Sequence, residues 1–186
     1  VAFYPATQHF YQFVATSIAW SGTSGADAAA KAATQYGQSG YLASITSANE
    51  NAFIAEKIKG DGDYAARNVW IGANDVTTEG AWLWSGGPEN DVQFWTGCGN
   101  SSASVNGAYA NWASGEPNDY GSGDCDGTSH DEDCGVINRY SRTGQTTDGT
   151  WNDLPCSYTG SGATGISGYI VEYGNKASGG DFANVD

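Results

Sequence analysis

Side chains that carry oxygen crowd into three short motifs in the second half of the chain. The motifs are Glu116-Pro117-Asn118-Asp119, Asp131-Glu132-Asp133 and Trp151-Asn152-Asp153. Nine of the 21 acidic residues fall between positions 116 and 153, which is costly unless a cation neutralises them. Calcium takes roughly 6–8 oxygen ligands from carboxylates, amides, backbone carbonyls and water. A set of that kind for one calcium ion is Glu116, Asn118, Glu132, Asn152 and Asp153.

The mixture of carboxylates and amides in this set favours a second kind of contact. A carboxylate only accepts hydrogen bonds, whereas an Asn amide both accepts and donates them. Two neighbouring hydroxyls of a sugar could replace waters on the ion, donate to a carboxylate and accept from an Asn amide. The set therefore predicts calcium-dependent carbohydrate binding, with Tyr120 as the candidate for stacking on the sugar ring.

The charge balance excludes several other partners. The formal net charge is −14, with 7 basic residues against 21 acidic ones. A nucleic acid would be repelled, since binding it requires Lys and Arg against phosphates, and an anionic membrane surface is disfavoured for the same reason. The sequence shows no apolar run of transmembrane length and no signal peptide.

The four cysteines indicate disulfides and an oxidising compartment. Their even number, in a chain with 27 Gly and 13% aromatic residues, is typical of extracellular domains. None lies in a C-x-x-C pair, which argues against a zinc site. Four cysteines permit three pairings, and their spacing leaves the choice open.

The segments that must position the motifs predict one mixed α and β domain over residues 1–174, with 175–186 as a tail or linker. Residues 8–16 are expected to form a strand with His9 on its surface, and residues 27–36 a helix that stops at Gly37. A second helix should start after Ser47, with Glu50 completing a capping box. Further strands are predicted at 69–72, 81–84, 135–138 and 168–173.

In their order along the chain, these motifs resemble the C-type lectin-like domain family over residues 8–173. The matching residues are Leu42-Ala43-Ser44-Ile45, Glu50-Asn51, Trp70-Ile71-Gly72, Glu79-Gly80 before Trp82 and Trp84, Asn111-Trp112, Glu116-Pro117-Asn118, Glu132-Asp133-Cys134 and Trp151-Asn152-Asp153. The resemblance implies an α+β fold in which two helices flank small antiparallel sheets beside a long calcium-binding loop region.

The resemblance also implies roles for individual residues. The five oxygen-bearing residues would ligate the principal calcium, and Glu116, Asn118, Glu132 and Asn152 would bond a sugar. Glu-Pro-Asn implies ligands of the mannose, fucose, glucose and N-acetylglucosamine type, with a cis peptide before Pro117. An auxiliary calcium would be bound by Asp75, Glu79, Asp119 and Asp133. The disulfides implied are Cys134–Cys156 and Cys98–Cys125.

The chain departs from the family pattern in three places. Gln35 and Val171 stand where the outer disulfide would join the first helix to the last strand. Inserts at about 86–108 and 124–131 lie on either side of Glu116. These features are more similar to bacterial members of the family, and they suggest a monomeric module of a larger, multidomain surface adhesin.

Two alternatives compete with a lectin. A glycoside hydrolase also uses paired carboxylates, but it needs one kept protonated by an apolar pocket, whereas here the acids alternate with Asn and Gly. The sequence also shows no Ser-His-Asp or Cys-His set, so we predict that the chain is not an enzyme. A domain of the same fold that binds protein or ice, with purely structural calcium, remains the second alternative. The tryptophans Trp70, Trp82, Trp84, Trp112 and Trp151 are predicted to be core.

Overall fold

A computed structural model describes residues 1–58, 66–120, 132–138, 149–160 and 165–175. Cys125, His130, Asp131, the insert at 124–131 and most of the predicted tail lie outside these residues. The helices are α1 (Ala26–Ala32) and α2 (Ala48–Ile58). Neither of them is long and apolar enough to cross a membrane, and no other helix of the described part is. The strands are β1 (Ala2–Tyr4), β2 (His9–Val14), β3 (Thr34–Gln35), β4 (Gln38–Leu42), β5 (Ala66–Asn74), β6 (Ala81–Trp84), β7 (Gln93–Thr96), β8 (Ala103–Ser104), β9 (Cys134–Asn138), β10 (Trp151–Leu154) and β11 (Gly165–Tyr173).

The strands form a mixed sheet with the order β1-β2-β11-β5-β6-β7-β8. The two longest strands, β5 and β11, run parallel at its centre, and the other pairs are antiparallel. Strand β9 also pairs with β5, and β10 pairs with β9, so β10 is attached to the middle of the sheet through β9. This arrangement confirms the predicted α+β class with two helices beside the sheet.

Helix α1 is shorter than the sequence predicts. It ends at Ala32, and the chain then forms the β3–β4 hairpin. Tyr36 and Gly37 make its turn with φ angles of 50° and 76°. Two left-handed residues are what a tight hairpin turn requires, so Gly37 serves the turn rather than a helix end. The helix prediction was wrong over residues 33–36.

The start of α2 has half of the predicted capping box. The backbone N–H of Glu50 donates to Ser47 Oγ at 3.3 Å. The Glu50 carboxylate does not reach back to Ser47. It accepts instead from the backbone N–H and the hydroxyl of Thr46, at 2.7 and 3.0 Å. The helix then buries Ile54 and Ile58 against the sheet.

Two apolar cores lie on opposite sides of the sheet. One is centred on α2, Ile71 and Trp151, and the other lies under α1 around Leu42 and Trp70. The prediction of core tryptophans is confirmed for the four that are at most 2% exposed, which are Trp70, Trp82, Trp84 and Trp151. Trp112 is half-buried, with its ring centroid 5.7 Å from that of Trp151.

One disulfide links β9 to the segment that follows its partner strand, β10. Cys134, the first residue of β9, is bonded to Cys156, just after β10, with 5.1 Å between the Cα atoms. Cys98 is also disulfide-bonded. The partner predicted for it, Cys125, lies outside the described residues.

A fully buried polar network corrects the prediction that His9 lies on the surface. His9 is 1% exposed, and its Nδ1 lies 2.5 Å from Glu172 Oε1. The Tyr11 hydroxyl donates to Glu172 at 2.9 Å and also to Glu50. Burial raises the pKa of Glu50 to about 7, and the nearby charge of Glu172 adds to this effect.

The raised pKa of Glu50 gives a stability that depends on pH. A carboxyl whose pKa is raised in the folded state contributes to stability at low pH. That contribution is lost as the pH rises from the ordinary pKa of the group, 4.5, through its folded pKa of about 7. In Glu50→Gln, the amide oxygen can accept from Thr46 and the amide nitrogen can donate to the Tyr11 oxygen. We expect this variant to be more stable than wild type by roughly 2–3 kcal/mol at about pH 8, and equal to it near pH 4.

Urea denaturation at the two pH values measures the difference in the free energy of unfolding between the variant and wild type. The titration of all other groups affects both proteins equally and cancels in this difference. Glu56→Gln, an exposed position on the same helix, is the matched control and should change little. A Glu50→Gln protein that is less stable than wild type at both pH values would contradict the assignment.

Candidate functional site

Strand pairing brings the three acidic motifs to one end of the molecule. In the antiparallel β9–β10 pair, Asp153 lies opposite Gly135 and Leu154 opposite Cys134. Glu132 and Asp133 come directly before β9, at the end of this strand pair where Asp153 lies, and the charge of Asp153 raises the pKa of Glu132. The segment before Glu116 is also attached to β10, since the Ala113 N–H donates to the Trp151 carbonyl at 2.8 Å.

Asp153 is the residue that holds these segments together. It is 1% exposed, and its Oδ2 accepts the backbone N–H groups of Asn118 and Asp119, both at 2.8 Å. Its Oδ1 is buried without a hydrogen-bond partner among the described residues, and so is Oδ1 of Asn118. A buried polar oxygen without a partner is costly, so one oxygen of Asp153 fixes the loop while the other fits a cation.

A second pair of hydrogen bonds ties the Glu-Pro-Asn loop to Glu132. The Tyr120 N–H donates to Glu132 Oε2 at 2.9 Å, and the Glu132 N–H donates to Asp119 Oδ1 at 3.3 Å. The Glu116–Pro117 peptide is cis, as the resemblance implied. The Asn152 amide is oriented by its own bond to the Asp153 carbonyl at 2.7 Å. All five residues predicted to bind the principal calcium are thus held in one region.

The electrostatics of this region favour a positive ion. Burial, as the largest cause, and the Glu116 carboxylate together raise the pKa of Asp153 to about 7. Burial also raises the pKa of Glu132 to about 7, with added effects from Asp153 and Asp119. The carboxylates of Glu116, Glu132 and Asp153 each disfavour the charged form of the others. A cation among them would stabilise the charged forms.

The chemistry of the donors fits calcium. All five side chains offer oxygen, from three carboxylates and two amides, which is the hard ligand set that calcium prefers. In the described ranges, no three side chains of His, Cys, Asp or Glu form a compact ready-made metal cluster. The three carboxylates predicted for the principal calcium, and the four predicted for the auxiliary one, are therefore not gathered into such a cluster.

The residues predicted for the auxiliary calcium lie next to this region. Asp75 is 2% exposed, and its Oδ2 accepts the Gly80 N–H at 2.9 Å. Its Oδ1 is buried, and no described residue is hydrogen-bonded to it. Its backbone N–H donates to the Asp133 carbonyl at 3.1 Å. Burial raises the pKa of Asp75 to about 8, and the charges of Glu79, Asp133 and Asp153 add to this.

Two asparagines that position the site had no role in the sequence prediction. Asn51 on α2 accepts the indole N–H of Trp151 at 2.8 Å and donates to the Gly149 carbonyl at 3.0 Å. Asn111 donates to the same carbonyl at 2.8 Å. These bonds fix the chain where it enters β10, two residues before Asp153. Both asparagines occur in the motifs that carry the family resemblance, and that was the only signal for them.

Comparison with known proteins agrees with this geometry. The family model for the lectin C-type domain matches residues 26–161. Halomucin from Haloquadratum walsbyi is 38% identical over 118 residues, and lectin BRA-3 from Megabalanus rosa is 32% identical over 117 residues; each match covers 63% of this chain. The crystal structure of the C-type lectin CEL-I from Cucumaria echinata has a TM-score of 0.58 at 21% identity, covering 90% of this chain and 91% of that chain.

These matches differ in how much of each relative they cover. The matched segment spans 1% of halomucin and 49% of BRA-3, so it corresponds to only part of each of them. The likeness to CEL-I shows the C-type lectin fold. The family match includes all three acidic motifs, and members of the family are binding domains rather than enzymes. This chain therefore belongs to the C-type lectin domain family.

Proposed function

We propose that this domain binds calcium through Glu116, Asn118, Glu132, Asn152 and Asp153, and binds a sugar at the same place. The observation that carries the proposal is that the two carboxylate oxygens of Asp153 have different surroundings. Its Oδ2 accepts two backbone N–H groups, whereas its Oδ1, like Oδ1 of Asn118, is buried with no hydrogen-bond partner in the part of the chain that the structure describes. Two such oxygens in an otherwise bonded loop fit the ligand shell of a hard cation.

The sugar proposed is a neutral one with vicinal hydroxyls of the mannose, fucose, glucose or N-acetylglucosamine type. Bound calcium supplies coordination sites for two hydroxyl oxygens. Glu116 and Glu132 would accept the hydroxyl protons, and the amides of Asn118 and Asn152 would donate to the hydroxyl oxygens. Tyr120 is 77% exposed beside this loop, so its ring is accessible to a bound sugar.

The further parts of the proposal concern the second ion and the setting. Asp75, Glu79, Asp119 and Asp133 would hold an auxiliary calcium that stabilises the loop. The Cys134–Cys156 disulfide favours an extracellular or cell-surface location. There, recognition of glycans would serve adhesion.

Replacing Asn118 by Asp tests the sugar contacts. The change removes the donor that would serve a hydroxyl oxygen and leaves the backbone N–H bonded to Asp153. We expect binding of mannose-type glycans to weaken about tenfold or more, with an unchanged unfolding midpoint in calcium. Glycan-array binding and titration with free mannose measure the effect. Asn106→Asp is the matched control, at an exposed position with φ of 53° that Asp tolerates.

The same array separates the lectin from a protein-binding or ice-binding domain. Glycan binding should vanish in a chelator and return with calcium, and free mannose or fucose should compete. Binding that persists in the chelator would refute the mechanism. A ligand that free sugar does not displace would indicate recognition of another kind.

A further inference from the structure

One part of the insert at 86–108 is hydrogen-bonded to both of the loops proposed to bind calcium. These loops are residues 75–80, the Asp75 loop, and residues 113–120, the Glu-Pro-Asn loop. Residues 97–99, with the sequence Gly-Cys-Gly, follow strand β7 directly, and we call them the connecting segment. None of the proposed calcium ligands belongs to the insert, so the proposed function leaves the insert without a role.

The first contact joins the connecting segment to the Asp75 loop. The Gly97 N–H donates to the Gly80 carbonyl at 2.7 Å, and the Gly80 N–H donates to Asp75 Oδ2 at 2.9 Å. A Cβ atom added at Gly80 would lie only 3.3 Å from the Gly97 Cα, so the two backbones are in close contact. The position of Gly97 therefore affects the residue that orients the Asp75 carboxylate.

The second contact joins the connecting segment to the Glu-Pro-Asn loop. The Gly99 N–H donates to the carbonyl of Pro117, the middle residue of the motif, at 2.6 Å. The Gly99 carbonyl accepts from the Ser102 hydroxyl, also at 2.6 Å, and this bond fixes the turn that carries Gly99. The loop thus has a second attachment, in addition to the two N–H groups that Asp153 holds.

The connecting segment is itself restricted in its conformation. Cys98, between the two glycines, is buried and disulfide-bonded. Gly97 has a φ of 76°, and a Cβ atom there would lie 2.7 Å from the Ser101 carbonyl oxygen. The left-handed backbone and this close approach both favour glycine at position 97. A segment restricted in these ways can support the two loops.

The two loops need such a support when no ion is bound. Burial is the main cause of the raised pKa of Asp75, and the charge of Asp153, which holds the other loop, adds to it. The carboxylates of the two loops therefore oppose each other's charge. Residues 75–80 and 113–120 contain no helix and no strand that would resist this repulsion. The hydrogen bonds to the connecting segment involve backbone groups, so they do not depend on the protonation of the carboxylates.

We propose that the connecting segment is a positioning element that holds the two loops in their calcium-binding arrangement even when no ion is present. A loop that spends only part of its time in that arrangement binds with an affinity reduced by the same fraction. Groups that orient metal ligands from outside the ligand set typically change metal affinity about 10–100-fold when they are replaced. The calcium part of this inference rests on the proposed function, whereas the support of the loops does not.

Replacing Gly97 by Ala tests the proposal, with Gly107→Ala as the matched control. The two glycines have φ angles of 76° and 74°, so alanine is strained to the same degree at both positions. At Gly107 the added Cβ meets no atom within 4 Å, whereas at Gly97 it must displace the chain at Ser101. Gly97→Ala therefore moves the connecting segment, and Gly107→Ala does not.

Two measurements on the folded protein, well below its unfolding midpoint, read out this change. Amide hydrogen exchange in chelator reports on the loops without any ion. We expect the N–H groups of Asn118 and Asp119 to exchange about tenfold faster or more in Gly97→Ala, and at the wild-type rate in Gly107→Ala. Calorimetric titration should show a calcium affinity about tenfold lower or more in Gly97→Ala alone.

A second pair of variants leaves the backbone unstrained. Ser102→Ala removes the hydroxyl that donates to the Gly99 carbonyl, and Ser104→Ala removes an exposed hydroxyl in strand β8. We expect Ser102→Ala to speed exchange at Asn118 and Asp119, and to lower calcium affinity, by about threefold or more. Ser104→Ala should change neither quantity.

Two results would overturn the proposal. One is wild-type exchange at Asn118 and Asp119 in both Gly97→Ala and Ser102→Ala. The other is faster exchange with an unchanged calcium affinity, because the support would then not serve the ions. A wild-type protein that binds no calcium would refute the proposed function instead, and the exchange rates would still decide whether the connecting segment holds the loops.

Discussion

Calcium should raise the unfolding midpoint of this domain by about 10 °C at about pH 8, and by far less at about pH 5.5. A ligand at a thousand times its dissociation constant stabilises the folded state by roughly 4 kcal/mol. For a chain of this size, each kcal/mol corresponds to about 2–4 °C. At the lower pH, protons compete for the carboxylates of Asp153 and Glu132, whose pKa values burial raises to about 7, so calcium binds more weakly.

The calcium-free protein should show the opposite dependence on pH. Burial raises the folded pKa of Asp75 to about 8, and those of Glu132 and Asp153 to about 7, from ordinary values of 3.8 for Asp and 4.5 for Glu. The folded state then binds more protons than the unfolded state between the ordinary and the raised values. In the chelator, the contribution of these three carboxyls to stability is therefore largest at low pH and is lost as pH rises toward 7–8.

Thermal unfolding followed by circular dichroism, with calcium or with chelator at both pH values, measures these effects. Magnesium is the matched ion, because it has the same charge but demands a smaller octahedral site, and it should stabilise much less. Equal midpoints with calcium and with chelator at about pH 8 would contradict the calcium site. A stabilisation by calcium that does not change with pH would contradict the role of the buried carboxylates.

The candidate site could be predicted from the sequence to the extent that it rests on residue types in short motifs. Glu116, Asn118 and Glu132 were identified by their oxygens and by their order along the chain. The second role of Asp153, which holds two backbone N–H groups, could not be identified, because it depends on how a separate loop crosses β10. Strand β10 itself was missed, since Asn152 and Asp153 interrupt the apolar pattern that marks a strand.

In the fold as well, features that follow from local sequence patterns could be predicted, whereas features that depend on contacts between distant residues could not. The alanine-rich run after residue 27 favours a helix to residue 36, but pairing of β3 with β4, and of β4 with β11, decides the structure from Thr34 onward. His9 was placed on the surface because strand alternation assigns polar residues to solvent. Its buried partner, Glu172, lies 163 positions away, and no local pattern connects the two.

Replacing Asp153 by Asn should greatly weaken calcium binding while leaving the calcium-free domain at least as stable as wild type at about pH 8. The amide oxygen of Asn can still accept the N–H groups of Asn118 and Asp119, so the loop keeps its attachment. The substitution removes a buried charge that the Glu116 carboxylate opposes. The amide nitrogen, however, takes the place of the Oδ1 that fits the cation, and a donor there repels a positive ion.

We expect calcium affinity to fall about a hundredfold or more, which is roughly 3 kcal/mol of binding free energy. Calorimetric titration with calcium measures this loss, and urea denaturation in chelator measures the unchanged or higher stability. Asp91→Asn, at an exposed aspartate outside the motifs, is the control and should change neither quantity. Calcium affinity like that of wild type in Asp153→Asn would refute the ligand assignment. A strongly destabilised calcium-free variant would show instead that the Asp153 charge is part of the scaffold, because a merely metal-binding carboxylate contributes nothing favourable until the metal is present.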